Sequence, residues 1–317
     1  MHTLYIYPLN DFQKHRKSIN FITFVDNDSD KLYQVSISAM KANKIQKIEI
    51  RNIWGKYNFR WEGLNSDVNI LTGINGSGKT TFFNIIDALL SADIKRLKLY
   101  NIEAEVTIDG SDIIYRKDTT LTTVKQKLAG VNYLKISTFD VPIRDRRKMG
   151  KEDSPLLSEL KEIVYSVGEN NNSFSDYRLR ATNFPDQAEK INRRIRKFYD
   201  TVNHLFAGTG KTIEIDPMSN QLVFRDGNEI IHLYKLSSGE KQLLIILLRV
   251  FLMDEQPYIL LMDEPEISLH IEWQYRLFEE IQKLNPRCQI ITSTHSPSLF
   301  GDGWGDKLVF IEDLLIQ

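Results

Sequence analysis

The spacing of apolar residues divides the chain into stretches that alternate in twos and stretches that repeat every three to four. Ile48-Glu49-Ile50-Arg51-Asn52-Ile53 and Tyr57-Asn58-Phe59-Arg60-Trp61 put apolar and polar side chains on opposite sides of an extended backbone, which predicts strands with one buried face. Val68-Asn69-Ile70-Leu71-Thr72 and Tyr258-Ile259-Leu260-Leu261-Met262 are apolar almost without interruption, as strands covered on both faces of a parallel sheet are. Helical spacing takes over at Phe82, Ile85, Ile86 and Leu89, predicting a helix from Thr81 to Ala92. Ala188, Ile191, Ile195, Phe198, Val202 and Leu205 make a single apolar stripe, the pattern of an amphipathic helix. An apolar helix is expected from about Gln242 to Met253. Shorter strands are expected at Ile19 to Val25, Leu32 to Ile37, Asn132 to Thr138, Thr212 to Ile215 and Leu222 to Arg225, with a small meander at 101–121 turning on Asp109-Gly110.

This alternation predicts an α/β fold with a mixed central sheet, an antiparallel β lobe and an inserted helical subdomain. The expected boundaries are an N-terminal extension with a β-hairpin at 1–44, a first lobe at 45–139, the helical insert at 140–207 and a second lobe at 208–317. The acidic turn Asp26 to Asp30 imitates a calcium loop. It lacks the glycine at loop position six, and Ile37 stands where the bidentate glutamate belongs.

Composition narrows the class. With 42% hydrophobic residues among 317, the chain can bury a sizeable core. A net charge of -1 supplies no global field for nucleic acid or membrane. Any such contact has to come from a local patch, and two are present: Arg144-Asp145-Arg146-Arg147-Lys148, and Lys190, Arg193, Arg194, Arg196 and Lys197 on the amphipathic helix. A solvated loop and a solvated helix face are the alternative readings of the same residues. The lone cysteine, Cys288, excludes an intrachain disulfide and a cysteine-rich zinc site and suits a reducing cytoplasm. The first residues are too short and polar for a secretory signal. Leu243 to Met253 carries Arg249 and falls short of a bilayer span, so no membrane segment is expected.

The chemistry lies in four segments. Gly73-Ile74-Asn75-Gly76-Ser77-Gly78-Lys79-Thr80 fits the P-loop pattern G-x-x-x-x-G-K-[ST] at every fixed position, with an apolar strand before it and a helix after it. Backbone N–H groups of such a loop cradle phosphates. Asn75, Gly76, Ser77, Gly78, Lys79, Thr80 and Thr81 are therefore the expected ATP contacts, with Lys79 on the β- and γ-phosphates and the Thr80 hydroxyl on Mg²⁺. The strand ending at Met262 delivers Asp263 and Glu264, expected beside the P-loop strand. Asp263 is the candidate Mg²⁺ ligand and Glu264 the candidate base for the attacking water. Ser237-Ser238-Gly239-Glu240-Lys241 opens the apolar helix as a serine cap followed by glycine, a free helix start that can bind an anion. Ile290 to Pro297 is a short strand ending in His295, placed to sense the γ-phosphate. Gly208-Thr209-Gly210-Lys211-Thr212 imitates a second P-loop. Leu205 stands where its first glycine belongs and a strand follows it, so no helix end could receive phosphate.

Together these segments resemble the ABC ATPase superfamily outside membrane transport, closest to the RecF, SMC and OLD-like branch with its AAA_15 and AAA_21 type of domain. Leu236-Ser237-Ser238-Gly239-Glu240-Lys241-Gln242 looks like the signature of that branch, and Asp263-Glu264-Pro265-Glu266-Ile267-Ser268-Leu269-His270 looks like its Walker B and D-loop. The resemblance covers roughly residues 45–140 and 210–312. It implies an Mg²⁺-dependent ATPase that closes head to tail as a dimer on ATP. Ser237, Ser238 and Gly239 would reach the γ-phosphate of the opposite subunit, Ser268 and His270 would line the seam, and His295 would be the switch histidine. The Q-loop departs from the pattern, because Phe139-Asp140 stand where a glutamine is expected. OLD-like nucleases continue into a TOPRIM domain, for which no room is expected before Gln317. The resemblance therefore extends to ATPases of antiphage systems that work with a separate effector, such as Septu-type pairs with an HNH nuclease and retron-linked versions. A RecF-like DNA-repair clamp and an ATP-dependent scaffold with little turnover are the competing readings.

Overall fold

The computed structural model describes residues 43–119, 124, 127–137, 153–166, 173–301 and 303–316, and the backbone alone of 20–26 and 31–37. Strands β1 (Asn20–Asp26) and β2 (Lys31–Ile37) pair antiparallel, with Asn20 opposite Ile37. They belong to a unit, residues 1–42, distinct from residues 43–317. The Arg144–Lys148 cluster and the Phe139-Asp140 position lie outside the described residues.

The second unit starts with β3 (Ile45–Ile53), β4 (Tyr57–Glu62) and β5 (Val68–Thr72), then α1 (Lys79–Leu90) and α2 (Ile94–Tyr100). Next come β6 (Glu103–Ile108), β7 (Ser111–Tyr115) and β8 (Tyr133–Ser137). Three helices follow: α3 (Pro155–Tyr165), α4 (Phe174–Asn183) and α5 (Ala188–Phe206). The strands β9 (Thr212–Ile215), β10 (Leu222–Asp226) and β11 (Glu229–His232) form a small antiparallel sheet. Then come α6 (Ser238–Leu252), β12 (Tyr258–Asp263), α7 (Ile271–Leu284) and β13 (Cys288–Ser293), with short β14 (Leu308–Phe310) and β15 (Leu315–Ile316). No helix among the described residues is long and apolar enough to cross a membrane.

The central sheet has the order β14-β5-β13-β12-β8, and every pairing in it is parallel. The antiparallel strands sit in a second sheet, β15-β4-β3-β6-β7, rather than mixing into the first. The near-continuous apolar runs follow from burial on both faces. Ile70, Leu260, Met262 and Ile290 point into the core that holds α3 to α7. Leu71, Ile259, Leu261 and Ile291 point into the core that holds α1 and the antiparallel sheet. One expectation is corrected here. The strand carrying Asp263 does not neighbour the P-loop strand, because β13 lies between them. His295 therefore leaves the sheet between the two halves of the phosphate site.

The helices from Pro155 to Phe206 share their core with α6. Phe198 lies 5.4 Å from Phe174 and 5.0 Å from Phe251, and Tyr177 meets Phe251 edge-on at 4.7 Å. The apolar stripe read on α5 is the face that makes these contacts. Arg194 lies under this cluster, its guanidinium on the Phe251 carbonyl and beside Asp254 and Glu255.

On the antiparallel sheet the buried carboxylate of Glu49 is held by Lys47, Arg51 and Arg60 at 3.1, 2.6 and 3.0 Å. Burial pushes its pKa up, but the hydrogen bonds from Arg60, Arg51 and Lys47 outweigh it and hold the group at about 2. A folded pKa below the ordinary carboxylate value stabilises the fold above the unfolded pKa and is lost as pH falls. Glu49→Gln is expected to cost about 1–3 kcal/mol at neutral pH. Urea unfolding should show the gap between variant and wild type intact above about pH 5 and closing as pH falls toward about 2. A gap independent of pH would sink the assignment.

Candidate functional site

Parallel strands deliver their carboxyl ends to one edge of a sheet, where α/β folds build ligand sites. At this edge β5 runs into the P-loop, β12 ends at Asp263, β13 runs on to His295 and β14 is followed by Glu312. Gly78 adopts φ 100°, open to glycine but strained for other residues, and α1 starts directly after it. The helix therefore begins at Lys79, two residues before the apolar spacing suggested. Side chains cap α2, α3, α4, α6 and α7, whereas α1 and α5 have no side-chain cap, α5 continuing from a short 3₁₀ turn and α1 from the P-loop. The first N–H groups of α1 are left facing the P-loop mouth, which is how a helix start receives an anion.

Lys79 is buried at 4% exposure, and its Nζ donates to the carbonyls of Gly73 and Ile74, both at 3.1 Å. Burial pushes its pKa below the ordinary lysine value, while the carboxylates of Glu264, Glu312, Asp263 and Glu266 pull it back. Lys79 thus sits in the field of acids from two separate segments, 263–266 and Glu312. Asn75, Gly76 and Thr80 are exposed on the loop, with Ser77, Gly78 and Thr81 half-buried.

Asp263 is buried and accepts a short hydrogen bond from Ser293 Oγ. Glu264 adopts φ 49°, and its N–H donates to the carbonyl of Ser293 at 3.1 Å. That geometry turns the side chain toward His295, whose Nε2 lies 3.3 Å from Glu264 Oε1. The described residues hold no group of three His, Cys, Asp or Glu side chains fit to trap a metal alone. The Thr80 hydroxyl and Asp263 carboxylate are instead the sparse oxygen set that Mg²⁺ uses when phosphate oxygens and water complete its shell.

The signature segment has a geometry of its own. Ser237 and Ser238 are exposed. Ser237 Oγ accepts from the N–H of Glu240 at 3.2 Å, and Glu240 Oε2 accepts from the N–H of Ser237 at 2.8 Å, a capping box. The box starts α6 at Ser238, earlier than the expected Gln242. It occupies one helix-end N–H and leaves those of Ser238 and Gly239 at the open end. Lys211, the lysine of the P-loop-like segment 208–212, holds the other Glu240 oxygen at 2.5 Å. A Cβ on Gly239 would stand 2.2 Å from the backbone oxygen of Ser268, so this glycine is required by contact within the chain. Ser268 is exposed with φ 70°, and His270 is exposed and caps α7 through Nδ1. Among the described residues neither Ser237 nor Ser238 hydrogen-bonds to the P-loop.

Three residues at this edge escaped the sequence reading. Glu266 is buried; its Oε1 accepts from Thr294 Oγ1 at 2.6 Å and from the N–H of His295 at 3.1 Å. Glu312 Oε1 accepts from the N–H of Ile74 at 3.3 Å. Trp54, 56% exposed on the β3–β4 turn, lies with its ring 2.9 Å from where a Gly78 Cβ would be. The basic helix is less open than its sequence. Arg194 is buried; Lys190, Arg193, Arg196 and Lys197 are exposed, with Arg193 paired to Glu189 and Lys197 to Glu255 at the surface.

The family model described as AAA domain, putative AbiEii toxin, Type IV TA system (AAA_21) matches residues 141–301. The chain belongs to this family. The match takes in the signature, Asp263, Glu264 and His295, and the P-loop precedes it. An AAA_21 chain of this kind is a P-loop ATPase of ABC and SMC type. The "Retron Vc95 probable ATPase" of Vibrio cholerae is 26% identical over 170 residues, 50% of this chain and 30% of that protein. An "Uncharacterized ABC transporter ATP-binding protein" of Haemophilus influenzae is 37% identical over 90 residues, 26% of this chain and 33% of that protein. The matched stretches thus span a third or less of these relatives. An SmcHead solved bound to the C-winged helix domain of ScpA superposes with a TM-score of 0.53 at 15% identity, over 81% of this chain and 91% of that one. The fold is that of an SMC head.

Proposed function

We propose that the chain binds and hydrolyses MgATP at a site completed by a second copy, and that this closure controls a separate effector in antiphage defence. The uncapped start of α1, facing Lys79 within the field of four carboxylates, is the observation that carries the reading. The triphosphate would lie along the N–H groups of Asn75 to Thr81, displacing Lys79 Nζ from the Gly73 and Ile74 carbonyls. Thr80 and Asp263 would hold Mg²⁺, which screens phosphate charge when bound. Glu264 would draw the proton from water, with His295 orienting it and sensing the γ-phosphate. Trp54 would offer its ring to the base. The exposed Ser237 and Ser238, with no bond to their own P-loop, favour a γ-phosphate held by another subunit, and Ser268 and His270 would flank that seam.

Partial likeness to a retron ATPase supports the defence setting, with an HNH or other nuclease as the effector. A RecF-like grip on DNA is less favoured, since three of the five basic residues on α5 are committed to acids of the same chain. Lys79→Ala is expected to weaken ATP binding at least tenfold, about 1.4 kcal/mol or more. A titration with a fluorescent ATP analogue and Mg²⁺ reads this directly. Equal affinity in variant and wild type would remove the P-loop assignment.

A further inference from the structure

Away from the phosphate edge, α4, α5 and the β9–β10 turn line a cleft of about 620 Å³ that is open to solvent, with Asn192 and Asn220 exposed at its mouth. It lies within the range of roughly 300–1,000 Å³ typical of small-ligand sites and is too large for a lone phosphate. Its walls combine three kinds of group. Ile195 and Ile215 form an apolar side, and Tyr199 contributes an aromatic ring. Asn192 and Asn220 bring side-chain amides from two different elements, and Arg178 brings a guanidinium. No Asp or Glu lines the space. Among the described residues Arg178 forms no ion pair, and its side chain donates to Asn220 Oδ1 at 3.2 Å. Burial pushes the Tyr199 phenol up to about 12 against the pull of the nearby Arg178, so it stays a neutral donor. Arg196 does not line the space, but it is exposed and one helical turn from Asn192 on the same helix.

From this juxtaposition we infer that the cleft between α4 and α5 is a second nucleotide site, separate from the P-loop. A guanidinium without a carboxylate partner in an acid-free cleft calls for an anion, and its planar fork suits phosphate. An acidic peptide would ask for more cations than the one that lines the space. The aromatic and apolar walls take the flat face of a base, and side-chain amides read base edges, adenine best of all. The site does not depend on the ATP reading, since none of its residues belongs to the P-loop edge. The ligand is either a free nucleotide or one nucleotide unit of a single strand.

The full chain carrying Lys79→Ala, which disables the P-loop, is titrated with 5′-AMP by calorimetry and with fluorescein-labelled oligo(dA) by anisotropy. At least one probe is expected to bind, and Arg178→Ala or Asn192→Ala in that background should weaken it about tenfold, with Arg178→Lys in between. Binding of both probes, with AMP displacing the strand, identifies a nucleic-acid unit; AMP alone identifies a free nucleotide. Circular dichroism melts confirm that each variant is folded. Absence of binding by both probes overturns the inference, as does binding that neither Arg178→Ala nor Asn192→Ala changes.

Discussion

Glu264→Gln is expected to lower ATP turnover by a factor on the order of 10²–10⁴ while leaving ATP binding intact. The substitution keeps the shape of the side chain and removes the carboxylate that takes a proton from water. The main chain should not respond. The φ of 49° at position 264 is held by the hydrogen bond from its own N–H to Ser293, which the side chain does not make. An amide of the same shape can also keep the contact with His295 Nε2, now 3.3 Å from Oε1. Glu266→Gln is the matched control. Glu266 stands in the same field around Lys79, but it is tied to Thr294 and the N–H of His295. Burial raises its pKa above the ordinary value, the wrong environment for a ready anion. Its loss should act by loosening the segment that carries His295 and so disturb turnover less. Steady-state phosphate release and analogue binding, run on both variants, separate the two. Wild-type turnover in Glu264→Gln would assign the base elsewhere and revive the scaffold reading.

Legibility followed the range of the interactions involved. The P-loop, Asp263, Glu264 and the Ser237 cap could be read because each works through a few consecutive residues whose chemistry is local. The apolar runs of β5 and β12 announced burial on both faces, and the stripe of α5 named the face that packs on Phe251. Strand order could not be read this way. Periodicity says that β12 and β5 are buried, not that β13 stands between them. Glu312 was missed for a related reason. It reaches the P-loop because β14, a strand of three residues, adds to the sheet beside β5. So short a run carries no periodic signal, and its partner is far away in sequence. Trp54 falls between two predicted strands, where the alternating pattern assigns it nothing. Its φ of 53° turns it out over Gly78, which composition does not reveal. The strand expected after Lys211 is present, yet the bond of Lys211 to Glu240 depends on tertiary packing alone. On α5, counting cations overstated the basic face, because Asp254 and Glu255 come from the end of another helix.

Ser237→Arg is expected to bind ATP normally and to abolish its hydrolysis. The prediction rests on the exposure of Ser237 and on its lack of any bond to its own P-loop. If the signature meets nucleotide only across a subunit boundary, a bulky cation there blocks closure without touching the binding loop. Loss of the cap alone must be separated from this, since removing the Ser237 hydroxyl costs about 1 kcal/mol of helix stability. Ser237→Ala supplies that control, and it should keep more turnover than Ser237→Arg because the seam stays open. Gly239→Ala is a poor substitute: its Cβ meets the Ser268 carbonyl within the same chain, so lost activity would report a displaced D-loop as readily as a blocked seam. The decisive measurement mixes Ser237→Arg with Lys79→Ala, each inactive alone. A heterodimer pairs the intact P-loop of one with the intact signature of the other and spoils both halves of the second site. Random pairing of equal amounts makes half the dimers mixed, each with one good site of two. Turnover should therefore return to about a quarter of wild type if the sites fire independently. A mixture that stays silent, beside a Ser237→Ala protein that works, would mean that both sites must close together. Full turnover by Ser237→Arg alone would end the shared-site mechanism, because the cation would then stand where nothing needs to pass.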